Sequence, residues 1–243
     1  MSLHIGIVMD GNGRWATDQG KTRSEGHSEA IEVAIDLAKA CPDIGITALS
    51  LYAFAIKNWQ RDKAEVDHLW FLFRSLFEVR AQELIDNDCR FRLLGNRDGI
   101  PADVLKTIEA VEARSSNNKK LLIQIGLNYD GVDEIVRATK KIAEQVEAGK
   151  LTAEAVTEAE IRKQLDTKDA PDPDIIIRTG VDQNKGETDT HLWRGSGFLQ
   201  FQSAQTYGIA MTARFPELTP KHLKEALRVA ELDKRLFGGQ RKN

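Results

Sequence analysis

Apolar runs of the length expected for buried strands recur along the chain: "HIGIVM" from His4, "ITALSLYAF" from Ile46, "CRFRLLG" from Cys89, "LLIQIGLNY" from Leu121 and "DIIIRTG" from Asp174. Between them, apolar residues fall at helical spacing. Ala30, Val33, Ala34, Leu37 and Cys41 share one helical face, and Val66, Leu69, Trp70, Phe73, Leu76 and Phe77 share another. Asp62 with Glu65, and Thr157 with Glu160, have the spacing of capping boxes, and Thr219-Pro220 opens a last helix. Strands alternating with helices predict an α/β fold with a mostly parallel central sheet flanked by helices on both faces. No internal repeat or long linker divides the chain, so residues 1–243 read as a single domain.

The helix predicted from about Asp62 to Leu84 is unusual. Phe71, Leu72 and Val79 supplement its main stripe, leaving it apolar around much of its girth. Such a helix needs two surfaces to bury itself against. One reading sets it between the sheet and a subunit partner; the other makes one side the wall of a hydrophobic tunnel.

Composition narrows the function classes. The 243 residues are 41% apolar and carry a formal charge of −3, enough for a sizeable core but without the electrostatic footprint of a nucleic-acid binder. No apolar run approaches the roughly 18–20 residues of a membrane span. Cys41 and Cys89 lie far apart without metal-site spacing and read as reduced core residues, which together with strand-like sequence from the first ten residues predicts a cytoplasmic protein.

The first strand runs into a glycine-rich turn, "HIGIVMDGNGRWA". Gly11, Gly13 and Ala16 fit the G-x-G-x-x-G/A spacing of a dinucleotide loop, a weak signal alone. Two features oppose it. The second strand ends "LYAFAIKNWQR", with no carboxylate placed to hold a ribose, and bulky Trp15 sits where such loops carry small residues. An anion remains the natural ligand, because a strand delivering Gly11, Asn12 and Gly13 to a helix start exposes free backbone N–H groups. Arg14, Arg23 and Arg61 can converge on the same sheet edge and suit a diphosphate. Asp10 beside them has two readings. Either Mg²⁺ stands between it and the phosphates, or it caps the helix and pairs with an arginine.

These segments resemble the cis-prenyltransferases. "HIGIVMDGNGRWA", "GKTRSEGH" from Gly20, "LYAFAIKNWQR" from Leu51, "RLLG" from Arg92, "LNYDG" from Leu127, "DIIIRTG" and the closing "LFGG" from Leu236 match in order through nearly the whole chain. No D-D-x-x-D repeat of the trans-type synthases occurs. The resemblance implies the fold of that family, including a hydrophobic tunnel, and a reaction joining an allylic prenyl diphosphate to isopentenyl diphosphate with Z geometry. Carried over, Asp10 positions Mg²⁺ and is needed for diphosphate departure. Gly11, Asn12, Gly13, Arg14 and Trp15 cradle the allylic diphosphate with Arg23 and His27. Asn58, Trp59 and Arg61 belong to a loop bridging the two substrates, Asn58 with a catalytic role in proton loss and Trp59 and Arg61 on the allylic side. Glu65 matches the acid after that loop. A homodimer is implied, with only transient membrane contact for product release.

The chain also departs from that family. The usual R-T-G-G-E-x-R-[LI]-S-N-F-L-L-W-Q is replaced by "RTGVDQNKGETDTHLWRGSGFLQFQ". The best match gives Arg178, Arg194 and Ser196 the isopentenyl diphosphate, with about ten inserted residues, 182–191, looping out. A family glutamate that helps hold the metal matches Tyr207, a poor Mg²⁺ ligand. Either the diphosphates and water complete the coordination, or Glu187 or Asp189 of the insertion substitutes, or metal use is altered. Ala55, Ile56 and Lys57 stand where Ser-[ST]-Glu is common. The added charge of Lys57 either compensates for weaker metal binding or marks a changed acceptor. The sequence therefore predicts a (poly)prenyl diphosphate synthase. The alternatives are a relative with another acceptor or an irregular linkage, and a non-catalytic lipid-binding or partner subunit.

Overall fold

The computed structural model describes residues 2–181 and 194–237. The 182–191 insertion, with Glu187 and Asp189, and the closing 238–243 lie outside the described residues. Six parallel strands form one sheet: β1 (Leu3–Val8), β2 (Ile46–Ala55), β3 (Cys89–Leu94), β4 (Leu121–Tyr129), β5 (Ile175–Arg178) and β6 (Tyr207–Ala210). Their spatial order is β3-β4-β2-β1-β5-β6. The runs read from the sequence form β1 to β5. The short edge strand β6 was not among them, because its alternately half-buried "YGIA" has no buried apolar run to signal it.

Among the described residues seven helices connect the strands, α1 (Asn12–Asp18), α2 (Arg23–Ala40), α3 (Lys63–Ser75), α4 (Ala81–Asp86), α5 (Ala102–Arg114), α6 (Gly131–Glu147) and α7 (Glu158–Gln164), and an eighth, α8 (Pro220–Phe237), follows β6. Side-chain alternation along the strands divides the core. Ile5, Ile7, Leu49, Leu51, Ile123 and Ile125 face the larger cluster, shared with α2 and α3. Val8, Tyr52, Tyr129 and Ile176 face a smaller one, closed by Phe198 and Leu199.

Helix starts differ in part from expectation. Thr157 does accept a hydrogen bond from the Glu160 N–H, at 3.4 Å, and α8 starts at Pro220. Asp62 caps α3 by accepting from the Ala64 N–H at 2.9 Å, but Glu65 does not complete a box; arginines draw its carboxylate away. A reciprocal box forms instead at Thr22 and Glu25, opening α2.

The predicted long helix is broken by a π turn, Leu76–Arg80, between α3 and α4. That extra residue per turn rotates the apolar stripe. Leu69, Trp70, Phe73 and Phe77 stay buried, while Phe71 and Val79 are exposed. Within one chain the helix therefore buries only one side.

Candidate active site

The strand order reverses around β1: β2 lies on one side and the later β5 on the other. In open parallel sheets, ligands bind at the carboxyl ends of strands where the order reverses. Val8 and Arg178 are level there, and Asp10 follows β1. The main chain of Asp10 is held from both sides: its N–H donates to Thr179 Oγ1 at 2.9 Å, and its carbonyl accepts from the Phe215 N–H at 3.0 Å. Gly11 next takes a φ of 98°, and a Cβ there would meet Arg214 Cγ at 2.8 Å. Only glycine satisfies both the left-handed backbone and the close approach.

The Asp10 carboxylate points into the cleft, about 40% exposed. Oδ1 accepts from the Gly11 N–H at 2.7 Å, and Oδ2 accepts from Arg178 Nη2 at 2.8 Å. Arg14 Nη2 lies 3.6 Å from Oδ1 and donates to the Gly180 carbonyl at 2.6 Å. Asp10 thus pairs with an arginine, but it does not cap α1, whose N-cap is Gly11 with no side-chain bond.

Two polar crevices flank Asp10. The first, about 300 Å³, is lined by Met9 to Arg14 with Arg23, His27 and Arg61. The first N–H groups of α1 open here without intrahelical acceptors. Glu65 holds Arg61 at 2.9 Å and Arg23 at 3.6 Å. Burial raises the Glu65 carboxyl, but these two arginines outweigh it and bring it below the usual range. His27 Nε2 is 3.6 Å from Glu65, beyond a hydrogen bond, and burial followed by the Arg61 charge pulls its pKa down to about 4. The imidazole is therefore neutral near pH 7.

The second crevice, about 190 Å³, runs from Asp10 past Lys57, Asn58 and Arg61 to Arg178 and Ser196. Arg178 Nη1 donates to Ser196 Oγ at 2.7 Å and to the Arg194 carbonyl at 2.6 Å. Ser196 adopts a φ of 54°, uncommon outside glycine, and its carbonyl accepts from the Tyr52 hydroxyl at 3.3 Å. Asn58 Oδ1 accepts from the Ala55 N–H at 2.8 Å and fixes the turn after β2. Together the crevices gather five cations against the carboxylates of Asp10 and Glu65, a positive focus on a chain whose formal charge is −3.

A third, apolar cleft opens between α2 and α3 over the sheet. Ala30, Ile31, Ala34, Ala53, Leu69, Leu72, Phe73 and Leu76 line it, and Met9, Asn12 and His27 join it to the first crevice. Ala53 joins it to the second. Its free volume is about 50 Å³, close to the share of two water molecules in the liquid. The site is thus built for an amphipathic ligand with an anionic head at Asp10 and an apolar tail along α3.

Comparison with known proteins shows the family and the fold. The profile of a family described as "Putative undecaprenyl diphosphate synthase" matches residues 8–238. This chain belongs to the undecaprenyl diphosphate synthase family. It is 35% identical over 235 residues to an isoprenyl transferase of Agrobacterium fabrum, covering 97% of this chain and 91% of that protein. It is 34% identical over 236 residues to the ditrans,polycis-undecaprenyl-diphosphate synthase of Pasteurella multocida, specific for (2E,6E)-farnesyl diphosphate, covering 97% and 94%. Lavandulyl diphosphate synthase from Lavandula x intermedia, solved with dimethylallyl diphosphate, superposes with a TM-score of 0.85 at 28% identity, covering 93% of this chain and 94% of that one. A probable undecaprenyl diphosphate synthase from Campylobacter jejuni does so with a TM-score of 0.76 at 26% identity, covering 98% and 99%.

Most of the site residues expected for a member of this family converge: Asp10, Gly11, Asn12, Gly13, Arg14, Arg23, His27, Asn58, Arg61, Arg178 and Ser196 line the two crevices. Others stand outside them. Trp15, on α1, is buried with Lys21 over its ring. Trp59 donates to Asn128 Oδ1 at 2.8 Å and packs on Trp70. Arg194 exposes its side chain and gives its carbonyl to Arg178. Tyr207 pairs in register with Ile175, three residues before Arg178, so it sits about 10 Å down the strand from the crevices. Met9 and Tyr52 were not singled out in the sequence. Tyr52 alternates with Leu51 and Phe54 as an ordinary core position, and only the fold brings its hydroxyl to Ser196.

Proposed function

We propose that this enzyme condenses an allylic prenyl diphosphate with isopentenyl diphosphate in Z configuration, releasing pyrophosphate and lengthening a prenyl diphosphate. The observation that carries this reading is the junction at Met9, Asn12 and His27, where a cationic crevice opens into an apolar cleft. The first crevice takes the allylic diphosphate: the α1 N–H groups, Arg14, Arg23 and Arg61 stabilise the charge that grows as the C1–O bond breaks and its electron pair leaves with the diphosphate. Neutral His27 offers a hydrogen bond without adding charge. The prenyl tail enters the cleft between Leu69, Leu72 and Leu76 on the α3 side and Ala30 and Ala34 of α2. The second crevice takes isopentenyl diphosphate on Arg178 and Ser196, placing its double bond toward the allylic C1. Asn58 orders the turn over both, and the proton lost as the double bond is restored passes to the released pyrophosphate.

Asp10 fits a divalent ion, which we take to be Mg²⁺. Its hard carboxylate is half exposed between the two crevices. Among the described residues no group of three or more His, Cys, Asp or Glu could hold a metal. In our reading diphosphate oxygens and waters complete the shell beside Asp10, of the kind Mg²⁺ favours. When bound, the ion supplies positive charge to the departing diphosphate. We read the enzyme as a cytoplasmic homodimer of single-domain subunits, touching a bilayer only on product release. Among the described residues no helix is long and apolar enough to cross a membrane.

The test is incubation of the purified protein with Mg²⁺, labelled isopentenyl diphosphate and allylic primers of several lengths. Incorporation into linear Z-prenyl diphosphates is expected. Absence of incorporation with every primer, or label only in branched products, would overturn the reading.

A further inference from the structure

The second crevice contains three cations, Lys57, Arg61 and Arg178, and one carboxylate, Asp10. Two of the cations are already matched: Arg61 by Glu65 at 2.9 Å and Arg178 by Asp10 at 2.8 Å. Lys57 has neither a hydrogen-bond nor an ion-pair partner among the described residues. Its backbone is nonetheless well placed, in the turn Ile56–Gln60 that Asn58 ties to the Ala55 N–H. Lys57 does not line the first crevice. A fixed main chain thus carries an uncompensated ammonium at the wall of one crevice only.

We propose that Lys57 binds the diphosphate of isopentenyl diphosphate in this crevice, beside Arg178 and Ser196, and sets affinity for that substrate alone. The proposal rests on the reading of the second crevice given above. A diphosphate entering there meets Arg178 already engaged by Asp10, Ser196 and the Arg194 carbonyl. Arg178 must therefore give up or share existing bonds to receive it. The Lys57 ammonium gives up none except to water, so its attraction for the anion is not offset by a lost protein contact. A compact ammonium on a flexible stem also adapts to a tetrahedral phosphate oxygen without the planar match a guanidinium needs. Ala55 and Ile56 before it offer no side-chain acceptor that would compete for the ammonium.

The test uses the full chain with Lys57→Gln and Lys57→Arg. Lys57 is exposed and unpartnered, so neither substitution disturbs folding. For Lys57→Gln, the KM for isopentenyl diphosphate should rise about ten- to a hundredfold, the worth of a charge-assisted hydrogen bond. The KM for the allylic primer should stay within about twofold, since the interaction is confined to one substrate. Lys57→Arg should recover most of the loss. Calorimetric titration of isopentenyl diphosphate in the presence of EDTA should show the same weakening without metal or turnover. Equal affinity of wild type and Lys57→Gln in that titration, or an equal rise in both KM values, would overturn the assignment. A wild type that binds isopentenyl diphosphate through Lys57 yet condenses it with no primer would count against the proposed reaction and leave this assignment standing.

Discussion

Asp10 and Arg178 hold each other at 2.8 Å across the gap between β1 and β5, so the carboxylate read as the metal ligand and the guanidinium read as the acceptor clamp occupy one another. Each must loosen for its ligand to bind, and the acceptor diphosphate that draws Arg178 away frees Asp10. Coupling of this kind is reciprocal. Arg178→Gln should therefore strengthen binding of Mn²⁺ to the ligand-free enzyme, read by electron paramagnetic resonance of the free ion. It should also raise the KM for isopentenyl diphosphate about thirtyfold, as for truncation of a hydrogen-bonded charge. Unchanged Mn²⁺ affinity would show that the pair does not compete with the metal.

Gly11 turns the chain from β1 into α1 with a φ of 98°, and Arg214 packs where a Cβ would stand. Gly11→Ala should cost about 1–3 kcal/mol of stability, from the strained backbone and the displaced Arg214. The midpoint of urea unfolding checks the cost. Because the same shift moves the α1 N–H groups away from the allylic diphosphate, kcat/KM should fall by more than about tenfold.

Acid should destabilise the fold through its buried histidines. Burial lowers the pKa of His4 and takes that of His27 to about 4. Both are neutral in the folded protein at pH 7, whereas the unfolded chain binds protons below about pH 6.5. Stability is thus fully present above pH 6.5 and falls as pH drops. The share of His27 amounts to about 3 kcal/mol and is lost by about pH 4, where the folded imidazole also titrates. Thermal melts between pH 7 and pH 4 should show a shallower decline for His27→Asn than for wild type.

Ala53 lies where the apolar cleft meets the second crevice. Ala53→Leu should fill that passage at a stability cost of about 1–3 kcal/mol. The KM for allylic primers should rise with primer length, and products resolved by thin-layer chromatography should shorten. An unchanged product distribution would place the growing tail elsewhere.

The strand runs and the Asp10 to Arg14 motif were legible because both are local. A buried strand shows as an apolar run, and a phosphate turn shows as its glycines and arginines. What was hidden depends on distant pairing. Glu65, at capping-box spacing from Asp62, is turned by Arg61 and Arg23, the second of which arrives from α2. Arg178 and Asp10 are 168 positions apart, and only the β1–β5 register shows that they meet. Tyr207 matches a family glutamate by counting from Ser196, yet its pairing with Ile175 sets it away from the crevices. The π turn at Leu76–Arg80 shifts the helical register of the residues that follow Ser75, which no single helical period applied to the whole segment anticipates.

The most direct test of the account is a single turnover of Asp10→Asn with a pre-bound allylic primer and excess isopentenyl diphosphate. The variant keeps the shape of the crevice and removes the charge that holds the divalent ion. Primer binding should remain, while the rate of allylic C–O cleavage should fall at least about a hundredfold, as when a group aimed at transition-state charge is lost. Cleavage at the wild-type rate would contradict a diphosphate leaving group held through Asp10.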